Sequence, residues 1–122
     1  MNGARPTILL VDDSRDTLEP LKRLLTMCGY DVRTATTAGQ AMALAADPRP
    51  ADLIVSDLGL PDRSGADLMR DAKARWGMRG IVMTGFTGDQ TIRECRSAGF
   101  ERHLFKPFEF EDLREAVCEM LR

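Results

Sequence analysis

Residues 53–61 constrain the fold of this chain more than any other stretch. An apolar run that starts at Leu53 leads into the carboxylate of Asp57, and Gly59 and Pro61 then break the chain. A short apolar run between such breakers is typical of a strand that is buried on both faces of a parallel sheet. Ligand sites in these sheets lie just beyond the carboxyl ends of the strands. We therefore predict that Asp57 ends a strand in a reactive position; an Asp that merely opens a turn is the alternative.

The same pattern recurs along the chain, and a helical stripe of apolar residues follows each copy. The predicted strands cover residues 7–11, 30–35, 53–57, 80–84 and 102–105. Five strands that alternate with five helices predict right-handed crossovers and a parallel sheet with helices on both faces. In the first helix, Pro20 is expected within the first turn or at a kink, because proline lacks the backbone donor. Thr37 is expected to cap the second helix.

Composition and charge restrict the class of protein. The 122 residues suffice for one domain with its own core, and the net charge of −2 argues against a nucleic-acid surface. No apolar stretch is long enough to span a membrane, and Met1 to Pro6 has no signal-peptide core, so we expect a cytoplasmic protein. The three cysteines have no metal-like spacing and fall on apolar helix positions, which predicts buried free thiols at Cys28, Cys95 and Cys118.

Polar side chains follow four of the predicted strands and are expected to meet at one edge of the sheet: Asp12, Asp13, Asp57, Thr84 and Lys106. Two carboxylates about 5 Å apart repel by roughly 3 kcal/mol at an effective dielectric constant near 20, so three of them call for counter-charge. Lys106 supplies one positive charge, and Mg²⁺ suits the remainder, with Mn²⁺ as the alternative ion. Thr84 and Lys106 also offer a donor and a cation to a phosphoryl group, and an Asp carboxylate is a known phosphoryl acceptor.

Taken together, these motifs resemble the receiver domain of two-component response regulators over essentially the whole chain. The matching residues are the pair Asp12-Asp13, the loop from Asp57 to Pro61 with Gly65, Thr84, and Lys106-Pro107. The resemblance implies a flavodoxin-like, doubly wound α/β fold with a five-stranded parallel sheet in the order 2-1-3-4-5. It also implies that residues 1–122 form a single receiver domain without an output domain.

The resemblance further implies a role for each of these residues. Asp57 would accept a phosphoryl group from the phosphohistidine of a histidine kinase or a histidine phosphotransfer protein. Asp13, Asp57 and the Gly59 carbonyl would hold Mg²⁺, and Asp12 would act partly through water. Thr84 and Lys106 would bind the phosphoryl oxygens, and the bond before Pro107 is a candidate cis peptide. Such a domain is not an enzyme beyond its own phosphotransfer and slow autodephosphorylation, and it would signal to a downstream protein or through a homodimer.

The sequence departs from the family pattern at three positions. His103 stands where the family usually has Tyr or Phe, and it is either an ordinary strand residue or a switch residue that titrates near neutrality. Gly59 and Phe86 carry no acid or amide to orient an attacking water, which by analogy predicts slow loss of the phosphoryl group. The run from Ala98 to Pro107 also resembles receiver modules of hybrid sensor kinases, so a stand-alone regulator and such a module are both open.

Three other functions share part of this sequence pattern. A phosphatase of the haloacid dehalogenase type would need a second Asp two residues after Asp57, where Gly59 stands. A flavodoxin-type flavin binder would need a hydroxyl-rich loop after the first strand, but that loop is acidic. A degenerate receiver that acts only as a docking module would not need the complete set of acidic residues, Thr84 and Lys106.

Overall fold

The computed structural model describes residues 5–122; Met1 to Ala4, which belong to the stretch inspected for a signal peptide, lie outside it. Five strands alternate with five helices along this range, as predicted. The strands are β1 (Thr7–Val11), β2 (Asp31–Ala35), β3 (Leu53–Asp57), β4 (Arg79–Thr84) and β5 (Phe100–Phe105). The helices are α1 (Arg15–Met27), α2 (Ala38–Ala45), α3 (Gly65–Trp76), α4 (Asp89–Ala98) and α5 (Phe110–Leu121). In the part of the chain that is described, no helix has the length and apolar character to cross a membrane.

The strands form one parallel sheet in the order β2-β1-β3-β4-β5, which confirms the flavodoxin-like fold. Because every strand runs in the same direction, each helix between two strands carries the chain from the carboxyl ends of the strands back to their amino ends. All carboxyl ends therefore lie along one edge of the sheet. The register keeps these ends level: Val11 lies opposite Ser56, and Thr84 lies opposite Phe105.

Two apolar layers hold the sheet, one on each face. Ile8 and Leu10 of β1 pack with residues of α1 and α5, whereas Leu9 and Val11 pack with residues of α2, α3 and α4. All four side chains are fully buried. A fully buried side chain of this size contributes about 1.5–3 kcal/mol relative to an exposed one. Strand β1 is therefore held from both faces, which fixes the position of the acidic residues that follow it.

The predicted helix signals are only partly correct. The Thr37 hydroxyl accepts a hydrogen bond from the Gln40 N–H at 3.0 Å, which confirms the cap of α2. Pro20 lies at the sixth position of α1, past its first turn, so of the two expectations for this proline the kink stays a prediction. Both Pro20 and Asp16, whose carbonyl loses its helical donor there, are exposed, so water can satisfy that carbonyl.

The prediction of three buried thiols is wrong for two of the cysteines. All three are free, but only Cys95 is buried, and Cys28 and Cys118 are exposed. Cys28 is the cap residue that follows α1, and Cys118 lies on the outer face of α5, next to the buried Val117. An apolar residue type at roughly helical spacing does not reveal on which side of the stripe a side chain falls.

Candidate functional site

The carboxyl edge of the sheet brings together the five polar side chains that the sequence placed there. Asp12 and Asp13 follow β1, Asp57 is the last residue of β3, Thr84 ends β4, and Lys106 follows β5. These four strands are neighbours in the sheet, so their ends lie side by side. The strand order, and not proximity along the chain, creates the site.

The three carboxylates form a compact acidic cluster. One oxygen atom from each of Asp12, Asp13 and Asp57 lies within 4.8 Å of the others. Asp12 is 1% exposed and Asp13 is exposed, while the Asp57 side chain is 17% exposed. The Ser14 N–H donates to Asp12 Oδ1 at 2.9 Å, which orients that carboxylate. Asp12 is thus the buried carboxylate of the cluster, and Asp57 is partly accessible to solvent.

Lys106 neutralises part of this negative charge. Its Nζ lies 3.0 Å from Asp12 Oδ2 and 3.4 Å from Asp57 Oδ2. The backbone N–H of Lys106 donates to the Thr84 carbonyl at 2.8 Å, and the Lys106–Pro107 peptide bond is cis. Burial lowers the pKa of Lys106, but the hydrogen bond and charge of Asp12, together with Asp57, outweigh burial and raise it. The ammonium therefore stays charged at neutral pH.

Asp57 has an elevated pKa that reflects its crowded position. Burial is the largest cause and the charge of Asp12 adds to it, whereas Lys106 and a hydrogen bond from the Gly59 backbone lower the pKa. The rise therefore reflects the loss of hydration around Asp57, because the Lys106 charge lowers the pKa more than the Asp12 charge raises it. A further cation near Asp57 would favour its ionised form.

The loop between β3 and α3 fits tightly against the end of β3. The Gly65 N–H donates to the Leu58 carbonyl at 2.7 Å, and Gly59 pairs with Ser64 in an antiparallel bridge. A Cβ on residue 65 would lie 2.2 Å from the Asp57 carbonyl oxygen, so only glycine fits there. Gly65 therefore allows the loop to fold back beside the site.

The donor set of the acidic cluster fits a hard divalent cation. Among residues 5–122, Asp12, Asp13 and Asp57 form the one group of three or more side chains that could hold a metal ion. All three offer carboxylate oxygens, and the exposed Asp13 leaves room for the waters that Mg²⁺ retains. Three carboxylates against the single ammonium of Lys106 leave a formal surplus of negative charge, which would attract such a cation.

Thr84 provides a hydroxyl at the end of β4. The residue is 1% exposed, and its Oγ1 accepts a hydrogen bond from the Phe86 N–H at 3.0 Å. The hydroxyl proton remains available for donation to another acceptor. Thr84 is thus buried against the loop that follows β4. It lies beside the ends of β3 and β5, which carry Asp57 and Lys106.

The family model of the response regulator receiver domain matches residues 8–118. This chain belongs to the response regulator receiver domain family. The transcriptional regulatory protein KdpE of Mycobacterium tuberculosis is 34% identical over 114 residues, which cover 90% of this chain and 50% of KdpE. The sporulation initiation phosphotransferase F of Bacillus subtilis is 30% identical over 115 residues, with 93% of this chain and 92% of that protein covered. The chain spans about half of the length of regulators such as KdpE.

Solved structures show the same relationship. A CheY-like response regulator receiver domain protein from Methanospirillum hungatei superposes with a TM-score of 0.87 at 32% identity, and 95% of this chain and 93% of that chain are covered. The chemotaxis protein CheY4 of Vibrio cholerae gives a TM-score of 0.90 at 26% identity, covering 97% of this chain and 100% of that chain. Receiver domains are signalling modules.

His103 is half-buried in the β5 strand of this receiver domain. Its Nε2 is buried without a hydrogen-bond partner among the described residues, and its ring stacks on Phe105 with centroids 6.0 Å apart. Burial lowers the pKa of His103 below its ordinary value of 6.5, and the positive charge of Arg96 lowers it further. The ring is therefore neutral at neutral pH, and protonation would place a charge in a site without an acceptor.

Sequence reasoning missed one residue that connects the site loop to its surroundings. Asp62 accepts hydrogen bonds from the backbone N–H groups of Ala38 and Gly39, both at 2.9 Å. The bond partners are more than twenty residues apart in the chain, so no local pattern signals them. From the sequence alone, an acid in a loop indicates only a turn residue. The tertiary structure shows that this acid faces the start of a helix.

Proposed function

We propose that this receiver domain accepts a phosphoryl group on Asp57 and thereby changes its binding to a downstream protein. The observation that carries the proposal is the position of Asp57: its carboxylate is partly exposed, ends β3 and lies 3.4 Å from the Lys106 ammonium. Asp12 and Asp13 beside it add the negative charge that a divalent cation would balance. A solvated loop carboxylate would have neither neighbour.

The proposed reaction is a transfer from the phosphohistidine of a histidine kinase or a histidine phosphotransfer protein. A carboxylate oxygen of Asp57 attacks the phosphorus, and the new P–O bond forms as the P–N bond breaks. The electron pair of the broken bond remains on the departing imidazole nitrogen. The Bacillus subtilis relative is named a phosphotransferase, which agrees with this class of reaction.

Different residues around Asp57 would bind the metal ion and the phosphoryl group. Asp13 and Asp57 with the Gly59 carbonyl would hold Mg²⁺, and Asp12 would contribute partly through water. When bound, Mg²⁺ would neutralise charge on the phosphoryl oxygens. Lys106 would pair with one phosphoryl oxygen, and the Thr84 hydroxyl would donate to another.

The same contacts suggest how phosphorylation of Asp57 would change the structure around His103 in β5. The Thr84 hydroxyl, whose oxygen accepts from the Phe86 N–H, would donate its proton to the phosphoryl group and be drawn towards Asp57. Thr84 lies opposite Phe105, on whose ring His103 stacks. A shift of Thr84 would therefore alter the packing of His103, and a His103→Phe variant should keep phosphorylation but change partner binding. Equal partner binding by both proteins would refute the switch role.

Intact mass after incubation with acetyl phosphate and Mg²⁺ tests the proposal. We expect the mass of one added phosphoryl group on the wild type and none on Asp57→Asn. Chelation of the metal should also prevent the addition. Absence of a phosphoryl group from the wild type would refute the proposal and favour a degenerate receiver that acts as a docking module.

A further inference from the structure

The carboxylate of Asp62 joins the loop beside the acidic cluster to the start of α2. Its Oδ1 accepts from the Ala38 N–H and its Oδ2 from the Gly39 N–H, each at 2.9 Å. A helix start presents unpaired N–H groups and a partial positive charge, and both favour a carboxylate. These two hydrogen bonds are the main reason that the pKa of Asp62 lies below its ordinary value.

Two different caps therefore satisfy the first turn of α2. Thr37, which directly precedes the helix, accepts from the third N–H, that of Gln40. Asp62 accepts from the first two and belongs to a different part of the chain. Thr37 stabilises α2 alone, whereas Asp62 ties α2 to the loop that follows Asp57. Substitution of each residue in turn therefore distinguishes the effect of capping α2 from the effect of holding the loop.

The loop from Leu58 to Gly65 is held at its base and at its tip. The Gly65–Leu58 hydrogen bond and the Gly59–Ser64 bridge close the base. Asp62 anchors the tip to α2. Gly59 has no side chain, and no atom of the described residues lies within 4 Å of the position that a Cβ would take. The orientation of its peptide group therefore depends on these backbone and tip restraints, because glycine itself restricts the backbone least.

We propose that Asp62 is a positioning residue for the metal site: by tethering the loop tip to α2, it holds the Gly59 carbonyl towards the acidic cluster. The inference rests on the proposed function, since it takes that carbonyl as a ligand of Mg²⁺. Asp62 uses both carboxylate oxygens for α2 and acts on the metal through Gly59. Loss of the tether should reduce metal affinity while the carboxylate ligands remain in place.

Calorimetric titration of Mg²⁺ into the wild type, Asp62→Ala and Thr37→Ala tests this role. Loss of a residue that orients a metal ligand typically weakens metal binding by 10-fold or more, so we expect about a tenfold higher Kd for Asp62→Ala. Thr37→Ala removes a cap from the same helix without touching the loop, and its Kd should equal that of the wild type. Asp62→Asn keeps one acceptor oxygen and should give a Kd between those of the wild type and Asp62→Ala. This variant also tests the role of Asp62 if Asp62→Ala folds poorly.

Phosphoryl uptake from acetyl phosphate provides a second readout. Asp62→Ala should need more Mg²⁺ for half-maximal uptake but should reach the wild-type rate at saturating Mg²⁺. A wild-type Kd for both Asp62 variants would overturn the inference, as would an equal loss in Thr37→Ala, which would assign the effect to α2 stability. If the wild type binds no Mg²⁺, the proposed function fails and the inference fails with it.

Discussion

Replacing Lys106 by methionine tests whether its ammonium neutralises the acidic cluster. The Lys106 Nζ lies 3.0 Å from Asp12 Oδ2 and 3.4 Å from Asp57 Oδ2. Methionine keeps an unbranched apolar stem but removes the positive charge. Because Asp12 is almost fully buried, the substitution leaves an unpaired carboxylate in the interior.

The expected loss of stability follows from these distances. At an effective dielectric constant near 20, the attraction is about 5.5 kcal/mol over the shorter contact and about 4.9 kcal/mol over the longer one. Desolvation offsets much of this energy, and breaking a buried ion pair typically costs about 3–5 kcal/mol. The Lys106 side chain is 33% exposed, so water screens the pair. We therefore expect Lys106→Met to lower the free energy of unfolding by about 2–3 kcal/mol without metal.

Urea unfolding at neutral pH, without and with saturating Mg²⁺, measures this effect. Mg²⁺ should stabilise Lys106→Met more than the wild type, because the divalent cation replaces the charge that the cluster has lost. Lys22→Met is the matched control: Lys22 is exposed on α1, and its loss should change stability by about 0.5 kcal/mol or less. An unchanged stability of Lys106→Met, or an equal gain from Mg²⁺ in both proteins, would refute the reasoning.

Three further predictions follow from the structure. Gly65→Ala should lower the free energy of unfolding by at least about 2 kcal/mol in urea, because its Cβ would overlap the Asp57 carbonyl oxygen. The NMR titration of His103, the one histidine in the chain, should give a pKa below 6.5. Since the unfolded state then binds the proton more readily, stability should fall as the pH decreases from about 6.5 through the folded-state pKa. Gly59→Asn should accelerate loss of the phosphoryl group in a mass time course, because the position has room for a side chain that orients water.

Control variants test the predictions for Gly65 and His103. Gly85→Ala should be almost neutral, since nothing lies within 4 Å of its added Cβ, and an equal loss in both glycine variants would contradict the steric argument. His103→Phe should lack the stability change near pH 6.5, and Arg96→Ala should raise the pKa of His103. A His103 pKa above 6.5 would contradict the burial argument. A phosphoryl lifetime of Gly59→Asn equal to that of the wild type would count against the role of Gly59.

The sequence by itself determined the elements of this domain and the edge at which its chemistry lies. Apolar runs such as Leu53 to Val55 predict buried strands, because a strand covered on both faces needs continuous apolar side chains. Their alternation with helical stripes predicts a parallel sheet, and the direction of the strands places Asp12, Asp57 and Lys106 at one edge. These inferences depend on periodicity and chain direction, which are local properties.

Only the tertiary structure decided which of these groups are in contact and how exposed they are. The ion pair between Lys106 and Asp12 joins residues 94 positions apart, and the tether from Asp62 to Ala38 joins a loop to a helix start 24 positions away. The same holds for the exposure of Cys28 and for the His103 nitrogen that has no hydrogen-bond partner among residues 5–122. Hydrogen bonds and burial depend on distances of a few tenths of an ångström between separate elements, and those distances are set when the two apolar layers pack against the sheet.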